Sequence, residues 1–347
     1  MKAIVYHGPE DLRIEEIEKP IAGEREIVIQ VLSASICGTD LRIFHGNHRK
    51  YPEGTIRIPG HEVVGIISEI GSGVKGYSLG QKVFVAPNMG CGHCAQCVKG
   101  NNNLCKDYEA LGVTLNGGFA EYLLIPEQAI LQGNVINIDH NVDPAVAALI
   151  EPFACVLRGQ NALHISPGDT VLIIGAGPIG IMHTKLAKVR GAGLVIVSEP
   201  VNFRAEHALH AGAGVTINPA KQDLKDKINQ LTHEQGANII IVAAPIHAAQ
   251  EASLDLAAIG GRINFFGGLP KDNPLIKFNA NHVHYKELIV TGTTACSTAD
   301  CWHASQIINR GLVDFTDLIS QRFPIEKGLE AFQAAENRES MKIVIEP

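Results

Sequence analysis

Four side chains of the kinds that bind zinc are spread over the first half of the chain. Cys37 begins the tetrapeptide Cys-Gly-Thr-Asp, His61 and Glu62 are adjacent, and Glu151 is followed by proline. A catalytic zinc ion takes about three protein ligands and keeps one position open. Cys37, His61 and Glu62 could supply these ligands, with Glu151 as a fourth, exchangeable group. Spacing alone fits core or surface residues equally well, so other motifs must support this hypothesis.

A second set of zinc-binding side chains is contiguous and follows the spacing C-x2-C-x2-C-x7-C. Its members are Cys91, Cys94, Cys97 and Cys105. Four thiolates can surround one ion tetrahedrally, and such a site leaves no position for substrate. A redox-sensitive loop or an iron–sulfur cluster would use the same residues, but nothing else in the sequence indicates a redox chain. We therefore predict a structural zinc site.

Length and composition exclude several classes of function. The 347 residues suit about two domains, and the net charge of −7 offers no basic surface for nucleic acid. No run of about 18 apolar residues predicts a membrane span, and the N-terminus does not resemble a signal peptide. The eight cysteines are therefore interpreted as thiols of a cytoplasmic protein rather than as disulfides. We interpret Cys155, Cys296 and Cys301 as buried small apolar groups.

The elements that must position these residues change character near residue 155. Up to about residue 130, short strands such as 27–32 and 63–70 alternate with turn residues, which predicts a barrel-like β domain. Beyond residue 155, strand-like runs alternate with helical segments, and six runs match the count of a doubly wound dinucleotide fold. These runs are 170–174, 194–197, 215–218, 238–243, 262–267 and 287–292. After about residue 295 we predict one helix, around 305–309, and a final strand at 341–346.

The first of these strands leads into a G-x-G-x-x-G loop, and a helix follows it. The loop residues expected to contact a cofactor are Gly175, Gly177, Pro178, Ile179 and Gly180. Glycines at these positions permit a tight turn and let a pyrophosphate approach the helix N-terminus, where free N–H groups attract anions. The strand–loop–helix context makes a dinucleotide site the favoured interpretation.

Two residues near the end of the next strand, Glu199 and Arg204, bear on the choice between NAD and NADP. Glu199 ends the next strand, about 20 residues beyond the last glycine, where a carboxylate accepts hydrogen bonds from the ribose of NAD and repels the phosphate of NADP. Arg204 follows closely and could instead bind that phosphate.

Loops at the ends of later strands should line the nicotinamide pocket. The candidate residues are Ala243, Ala244, Gly267, Gly268 and Leu269.

Together these motifs resemble the zinc-dependent medium-chain alcohol dehydrogenases, within them the sorbitol (L-iditol) and L-threonine dehydrogenase-like branch. The resemblance covers the whole chain and includes Gly-Gly-Phe-Ala-Glu-Tyr at 117–122 and Glu-Pro at 151–152. It implies an α/β protein with a GroES-like, β-rich catalytic domain, residues 1–154 completed by 295–347. A doubly wound Rossmann NAD-binding domain, residues 155–294, lies between these segments in the sequence. Catalytic and structural zinc, NAD and assembly as a homotetramer or homodimer are also implied.

The resemblance further implies a reaction: reversible NAD-linked oxidation of a secondary alcohol, first of all a polyol of the sorbitol or iditol type to a ketose. L-Threonine 3-dehydrogenation and oxidation of butanediol or of a sugar phosphate such as galactitol 1-phosphate are alternatives. A non-catalytic NAD-binding scaffold is a remote one, because all the zinc ligands are intact. Cys37, His61 and Glu62 match the family's ligands, and Glu151 matches a glutamate that holds water at the zinc.

One departure from the family concerns the path of the proton. Thr39 matches the residue that takes a proton from the substrate hydroxyl, but many relatives then carry a histidine where this chain has Arg42. An arginine cannot act as a base near neutral pH. The next carrier would be the ribose, His45, His48 or water. Arg42 also raises the possibility of an anionic substrate.

Overall fold

The computed structural model describes residues 1–337 and 340–347. Two compact units are present, one formed by Met1–Ala154 with Cys296–Pro347 and the other by Cys155–Ala295. The sequence-based division puts the second boundary one residue earlier. Within the described ranges, every helix is too short or too polar to cross a bilayer.

Seventeen strands occur in the described residues. They are β1 Lys2–Gly8, β2 Asp11–Glu16, β3 Ile27–Ser35, β4 Glu62–Ile70, β5 Lys82–Val85, β6 Asn88–Met89, β7 Glu109–Ala110, β8 Tyr122–Ile125, β9 Val135–Asn137, β10 Thr170–Ile174, β11 Leu194–Ser198, β12 Val215–Ile217, β13 Ala237–Val242, β14 Ala257–Phe265, β15 Ile289–Gly292, β16 Ile319–Pro324 and β17 Lys342–Glu346.

Twelve α-helices connect or flank these strands in the same part of the chain. They are α1 Gly38–Phe44, α2 Ala95–Val98, α3 Glu127–Leu131, α4 Pro144–Ala148, α5 Ile150–Asn161, α6 Pro178–Val189, α7 Asn202–His210, α8 Leu224–Thr232, α9 His247–Leu256, α10 Ala280–Tyr285, α11 Thr298–Asn309 and α12 Gly328–Glu336.

The first unit is built on a seven-stranded sheet in the order β16-β17-β3-β4-β5-β9, with β8 also paired to β3. In the central strand β3 the successive residues Ile27, Val28 and Ile29 are fully buried, so both faces are covered there, although Gln30 is exposed. Phe119 packs edge-on against Phe332 of α12 in the same core, with ring centroids 5.6 Å apart. Apolar burial on both sides of β3 therefore fixes the strand ends from which site residues project.

The second unit holds six parallel strands in the order β12-β11-β10-β13-β14-β15. This is the doubly wound arrangement, so the predicted α/β fold class is confirmed. Ile174 at the end of β10 lies opposite Ser198 of β11 and Val242 of β13. The loops that follow these three residues consequently leave the same edge of the sheet.

The region after residue 295 contains more structure than predicted. The single helix expected around 305–309 begins at Thr298, because Ser297 and Asp300 form a capping box at its N-terminus. A strand, β16, and a second helix, α12, follow before β17. The prediction of one helix was wrong because α12 is a short helix stabilised by its buried Ala331 and Phe332, which sequence periodicity reveals poorly.

Candidate active site

Cys37, His61 and Glu62 come together where β3 and β4 meet. Glu62 begins β4 opposite Ser35, the last residue of β3, and Cys37 lies two residues farther on as the cap of α1. One ligand atom from each of the three side chains lies within 4.8 Å of the others. Antiparallel pairing thus juxtaposes residues that are far apart in sequence.

Asp40, which the sequence analysis did not single out, steadies this group. One carboxylate oxygen accepts the Cys37 backbone N–H at 2.9 Å, and the other accepts the Gly60 N–H at 3.3 Å. The second oxygen also lies 3.4 Å from Nδ1 of His61. A carboxylate behind a ligating imidazole fixes the ring and makes it a stronger ligand. Its signal in the sequence was the C-x-x-D spacing of a capping box.

The Asp40 carboxylate also affects the pKa of His61. Burial by itself would lower the pKa of the imidazole, but the Asp40 carboxylate and the Cys37 thiol together raise the pKa of His61 well above its ordinary value. The His61 side chain is only 8% exposed. A cation in place of a proton is therefore electrostatically favoured at this position.

Lys342 of β17 forms a buried ion pair with Glu62. Its Nζ donates to Oε2 of Glu62 at 2.5 Å and to the Ile36 carbonyl at 3.2 Å. Burial lowers the pKa of Lys342, but Glu62, followed by Cys37, outweighs this effect and the pKa is raised. Nothing in the local sequence predicted the pair, because 280 residues separate its members.

Glu151 is the fourth, exchangeable ligand that the sequence predicts, and its charge contributes to the raised pKa of Lys342. It lies buried in the first turn of α5 and is not a member of the Cys37–His61–Glu62 group. Its Oε1 accepts a hydrogen bond from the Cys296 thiol at 3.6 Å. Its role as a fourth, exchangeable ligand stays a prediction.

The donor set fits zinc better than a hard cation. A thiolate and an imidazole suit zinc, whereas calcium and magnesium take oxygen ligands almost exclusively. Oε1 of Glu62 is buried without a hydrogen-bond partner, while Oε2 is held by Lys342. One carboxylate oxygen therefore remains available to a metal ion.

Thr39, His45 and His48 are the candidate residues for the proton relay, and their surroundings differ. Arg42 donates to Oγ1 of Thr39 at 2.9 Å, which orients that hydroxyl. His45 is bound at Nε2 to Glu336 at 2.5 Å and is 40% exposed. His48 is half-buried, and burial, followed by the charge of Arg42, lowers its pKa to about 4. His48 is therefore neutral near pH 7.

The four cysteines Cys91, Cys94, Cys97 and Cys105 form a separate group whose sulfur atoms all lie within 4.8 Å of one another. The Cys91 N–H donates to the Cys105 sulfur at 3.3 Å, and the Cys94 N–H donates to the Cys91 sulfur at 3.4 Å. Backbone donation at Cys97 lowers the pKa of Cys94 to about 7. This all-thiol donor set fits a closed, tetrahedral zinc site.

The glycine loop follows β10 in the second unit. Gly175 has φ of +104°, and a Cβ on Gly180 would meet the Gly175 carbonyl at 1.9 Å, so both positions require glycine. A Cβ on Gly177 would meet nothing within 4 Å, which leaves open space beside the start of α6. Pro178 and Ile179 are the first residues of α6. This geometry suits the approach of a pyrophosphate.

Glu199 lies directly after β11 at the same sheet edge and is 5% exposed. Its Oε2 accepts the Ala176 N–H at 2.7 Å, and its Oε1 accepts the Val201 N–H at 3.0 Å. These bonds fix the carboxylate, and each oxygen has further lone pairs. Arg204, on α7, has its guanidinium 5.6 Å from the Phe203 ring.

The remaining nicotinamide-pocket candidates leave the sheet at adjacent strand ends. The Ala243 N–H donates to the Ile174 carbonyl, and the Gly267 N–H donates to the Val242 carbonyl, both at 2.9 Å. A Cβ on Gly267 would lie 2.8 Å from the Ala244 backbone, so glycine allows the loops to approach. Leu269 is partly exposed two residues farther on, and Gly268 is exposed.

Comparisons with known proteins agree with both halves of this description. Residues 23–135 match the alcohol dehydrogenase GroES-like domain, and residues 178–310 match the zinc-binding dehydrogenase domain. An L-threonine 3-dehydrogenase of Pyrococcus furiosus is 34% identical over 350 residues, covering 99% of this chain and 98% of that protein.

Solved structures cover the chain equally well. A zinc-binding dehydrogenase from Sinorhizobium meliloti 1021, bound to NADP, has a TM-score of 0.91 and 28% identity, covering 100% of this chain and 99% of its own. Galactitol-1-phosphate dehydrogenase from Escherichia coli has a TM-score of 0.88 and 25% identity, covering 100% of both chains.

Proposed function

The chain belongs to the zinc-dependent medium-chain alcohol dehydrogenases, and from this premise we propose that it catalyses reversible, NAD-linked oxidation of a secondary alcohol of a polyol to a ketone. The observation that carries this proposal is the buried group of Cys37, His61 and Glu62, braced by Asp40 and Lys342. A scaffold without turnover would not require buried charges to be held in this arrangement.

Each side chain of the group has a role. Cys37, His61 and Glu62 would hold the zinc ion, and Asp40 would fix the His61 imidazole from behind. Zinc held there supplies a Lewis acid that lowers the pKa of an alcohol hydroxyl, and the nicotinamide supplies the hydride acceptor. Glu151 accepts a hydrogen bond from a second substrate hydroxyl or from water.

Thr39 receives the substrate proton in this proposal. Its Oγ1 accepts from Arg42, so the rotatable hydroxyl hydrogen remains available for donation. Of the two candidate histidines, His48 is neutral near pH 7 but its lowered pKa makes it a weak proton acceptor, whereas His45 is already bound to Glu336.

We also propose that NAD is preferred over NADP. Glu199 is a fixed, buried carboxylate at the end of β11, where it accepts from ribose hydroxyls and repels a 2′-phosphate. Glu199→Gln keeps an acceptor oxygen but removes the charge, so it should narrow the preference. We expect the ratio of kcat/KM for NAD to that for NADP to fall by about tenfold or more in this variant.

L-Threonine is the second substrate candidate. The Pyrococcus furiosus relative is named for this substrate. Like a polyol, L-threonine carries a secondary alcohol, and its neighbouring carbon bears an ammonium group that can donate a hydrogen bond. A carboxylate such as Glu151 can accept from a neighbouring hydroxyl or from an ammonium group.

A substrate panel with the zinc-replete protein tests the proposal. NADH formation would be followed with sorbitol, xylitol, galactitol, galactitol 1-phosphate, 2,3-butanediol and L-threonine. We expect turnover of a free polyol. Turnover of L-threonine alone would replace the polyol proposal, and turnover of the phosphate alone would assign Arg42 or a neighbour to anion binding.

Two cysteine variants test the site itself. Cys37→Ser should abolish activity and release the zinc bound there, while the melting temperature changes little. Cys301→Ser is the matched control, because it alters a buried cysteine outside the ligand group and should keep activity. Full activity in Cys37→Ser would contradict the catalytic assignment.

The compartment and the assembly state complete the proposal. We propose a cytoplasmic location, because thiols that bind zinc persist in a reducing compartment. Assembly as a homotetramer or homodimer is the family's expectation, and light scattering of the purified protein would test it.

A further inference from the structure

Two cysteines outside the ligand motifs meet at the start of α11. The sulfur atoms of Cys296 and Cys301 lie 3.5 Å apart, and both side chains are fully buried. Cys296 precedes the cap Ser297, and Cys301 is the fourth residue of the helix. Apolar side chains often pack between these two positions and fix the path of the chain into a helix. Here the contact joins two thiols.

The surrounding backbone holds this pair in place. Ser297 and Asp300 exchange hydrogen bonds as a capping box between the two cysteines. Asn88 donates from Nδ2 to the Cys296 carbonyl at 3.0 Å. The two sulfur atoms are therefore kept close together, which makes a reaction between them effectively intramolecular.

We propose that Cys296 and Cys301 form a modification site, a dithiol that a hydroperoxide oxidises to a disulfide. The peroxide O–O bond breaks as one sulfur takes an oxygen atom and becomes a sulfenic acid, releasing water or an alcohol. The second sulfur then attacks the first, an S–S bond forms and water leaves. The thiols lose two electrons and two protons, and the peroxide is reduced by the same two electrons.

Oxidation of the pair reaches the candidate active site through Glu151. The Cys296 thiol donates to Oε1 of Glu151 at 3.6 Å. A disulfide removes the thiol hydrogen and draws the sulfur towards Cys301, to an S–S distance of about 2.05 Å. The contact with Glu151 is then lost. This second step rests on the role proposed above for Glu151, whereas formation of the disulfide does not.

The segment before the pair gives an oxidant a route to the sulfurs. Thr294 and Ala295 are exposed, immediately before Cys296. Ala295 also has φ of +51°, a left-handed conformation that costs energy for a residue with a Cβ. Local opening of this short segment, rather than unfolding of the unit, would uncover Cys296.

The test exposes the zinc-replete protein to hydrogen peroxide, blocks remaining thiols with N-ethylmaleimide and maps non-reduced peptides by mass spectrometry. We expect a peptide cross-linked between Cys296 and Cys301, together with about tenfold or greater loss of activity. Dithiothreitol should restore the activity. Zinc content, measured in parallel, should stay constant, which separates this reaction from oxidation of the four-cysteine group.

Two variants make the outcome decisive. Cys301→Ser preserves shape but cannot form the disulfide, so it should keep its activity through the same exposure. Ser305→Ala, another buried change on α11, leaves both thiols in place and should respond like the wild type. Absence of the cross-link overturns the modification site, whether or not the protein turns over a substrate. A cross-link with unchanged activity, or equal loss in Cys301→Ser, overturns the coupling to Glu151.

Discussion

The two zinc-type ligand groups of this chain are assembled in opposite ways. Cys91, Cys94, Cys97 and Cys105 belong to one short segment, and their nearest donors are backbone N–H groups of the same segment. The other group, called the dispersed group below, consists of Cys37, His61 and Glu62. Cys37 lies at the start of a helix, and Glu62 begins a strand. A local group depends on a loop closing, whereas a dispersed group depends on the register of a whole sheet.

The two groups also differ in the residues that hold their ligands in place. Backbone amides donate to the four-cysteine group, in which Cys105 is buried and the other three cysteines are partly exposed. Buried charges surround the dispersed group, where Asp40 and Lys342 are almost inaccessible to solvent. Because a buried charge is costly without its partner, the dispersed group should be the more sensitive to changes in residues that never touch the metal.

Removal of one local ligand should have the largest effect on metal content. Cys94→Ala is expected to lose most zinc affinity at the four-cysteine group, because its thiolate is favoured by backbone donation and three thiols cannot close the site. Zinc analysis and proteolysis between β6 and β7 would measure this. Val98→Ala, an exposed change in the same segment, is the control. Full zinc retention in Cys94→Ala would contradict a structural site.

Loss of Lys342 should destabilise the dispersed group from a distance. Lys342→Met leaves Glu62 as an unpaired buried charge, and we expect about 3–5 kcal/mol less free energy of unfolding in the zinc-free protein. Added zinc should recover more stability in this variant than in the wild type if Oε1 of Glu62 is a ligand. Denaturant titrations with and without zinc measure both quantities.

A surface ion pair supplies the control for this prediction. Lys2→Met removes the exposed partner of Glu326 and should leave the denaturation midpoint unchanged. The double variant Lys342→Met with Glu62→Gln should recover part of the stability, since it removes the unpaired charge. Equal recovery by zinc in Lys342→Met and in the wild type would argue that Glu62 is not a ligand.

The same contrast explains what sequence could predict. The cysteine spacing and the glycine loop are contiguous, and their residue types admit few other chemistries; the doubly wound fold followed from six strand-like runs. Lys342 could not be found in this way, because its partner is set by the pairing of β17 with β3. Asp40 was visible as part of a motif, but its distance to His61 depends on how β4 enters the sheet. Glu151 was predicted as an exchangeable ligand from its residue type and from the resemblance, but its contact with Cys296 depends on tertiary packing.

A change at Asp40 should show whether its carboxylate supports the zinc ligand His61 or only caps helix α1. Asp40→Asn keeps one acceptor oxygen, which can serve only one of the two backbone N–H groups, and removes the charge near His61. We expect zinc affinity at the dispersed group to fall by about 10–100-fold. Competition with a chelator would measure the affinity. Asp300→Asn makes the same change in the capping box of α11 and should not alter zinc affinity.

The smallest effect is expected at Arg42, at the exposed margin of the dispersed group. Arg42→Leu removes the donor that orients the Thr39 hydroxyl, and exposure limits the loss to about two- to fivefold in kcat/KM. Arg49→Leu removes a nearby exposed charge without that hydrogen bond and is the matched control. An equal loss in both variants would indicate a general effect of positive charge on an anionic substrate. A loss confined to Arg42→Leu that falls on kcat rather than KM would indicate orientation of Thr39, because misorientation impairs the chemical step more than substrate binding.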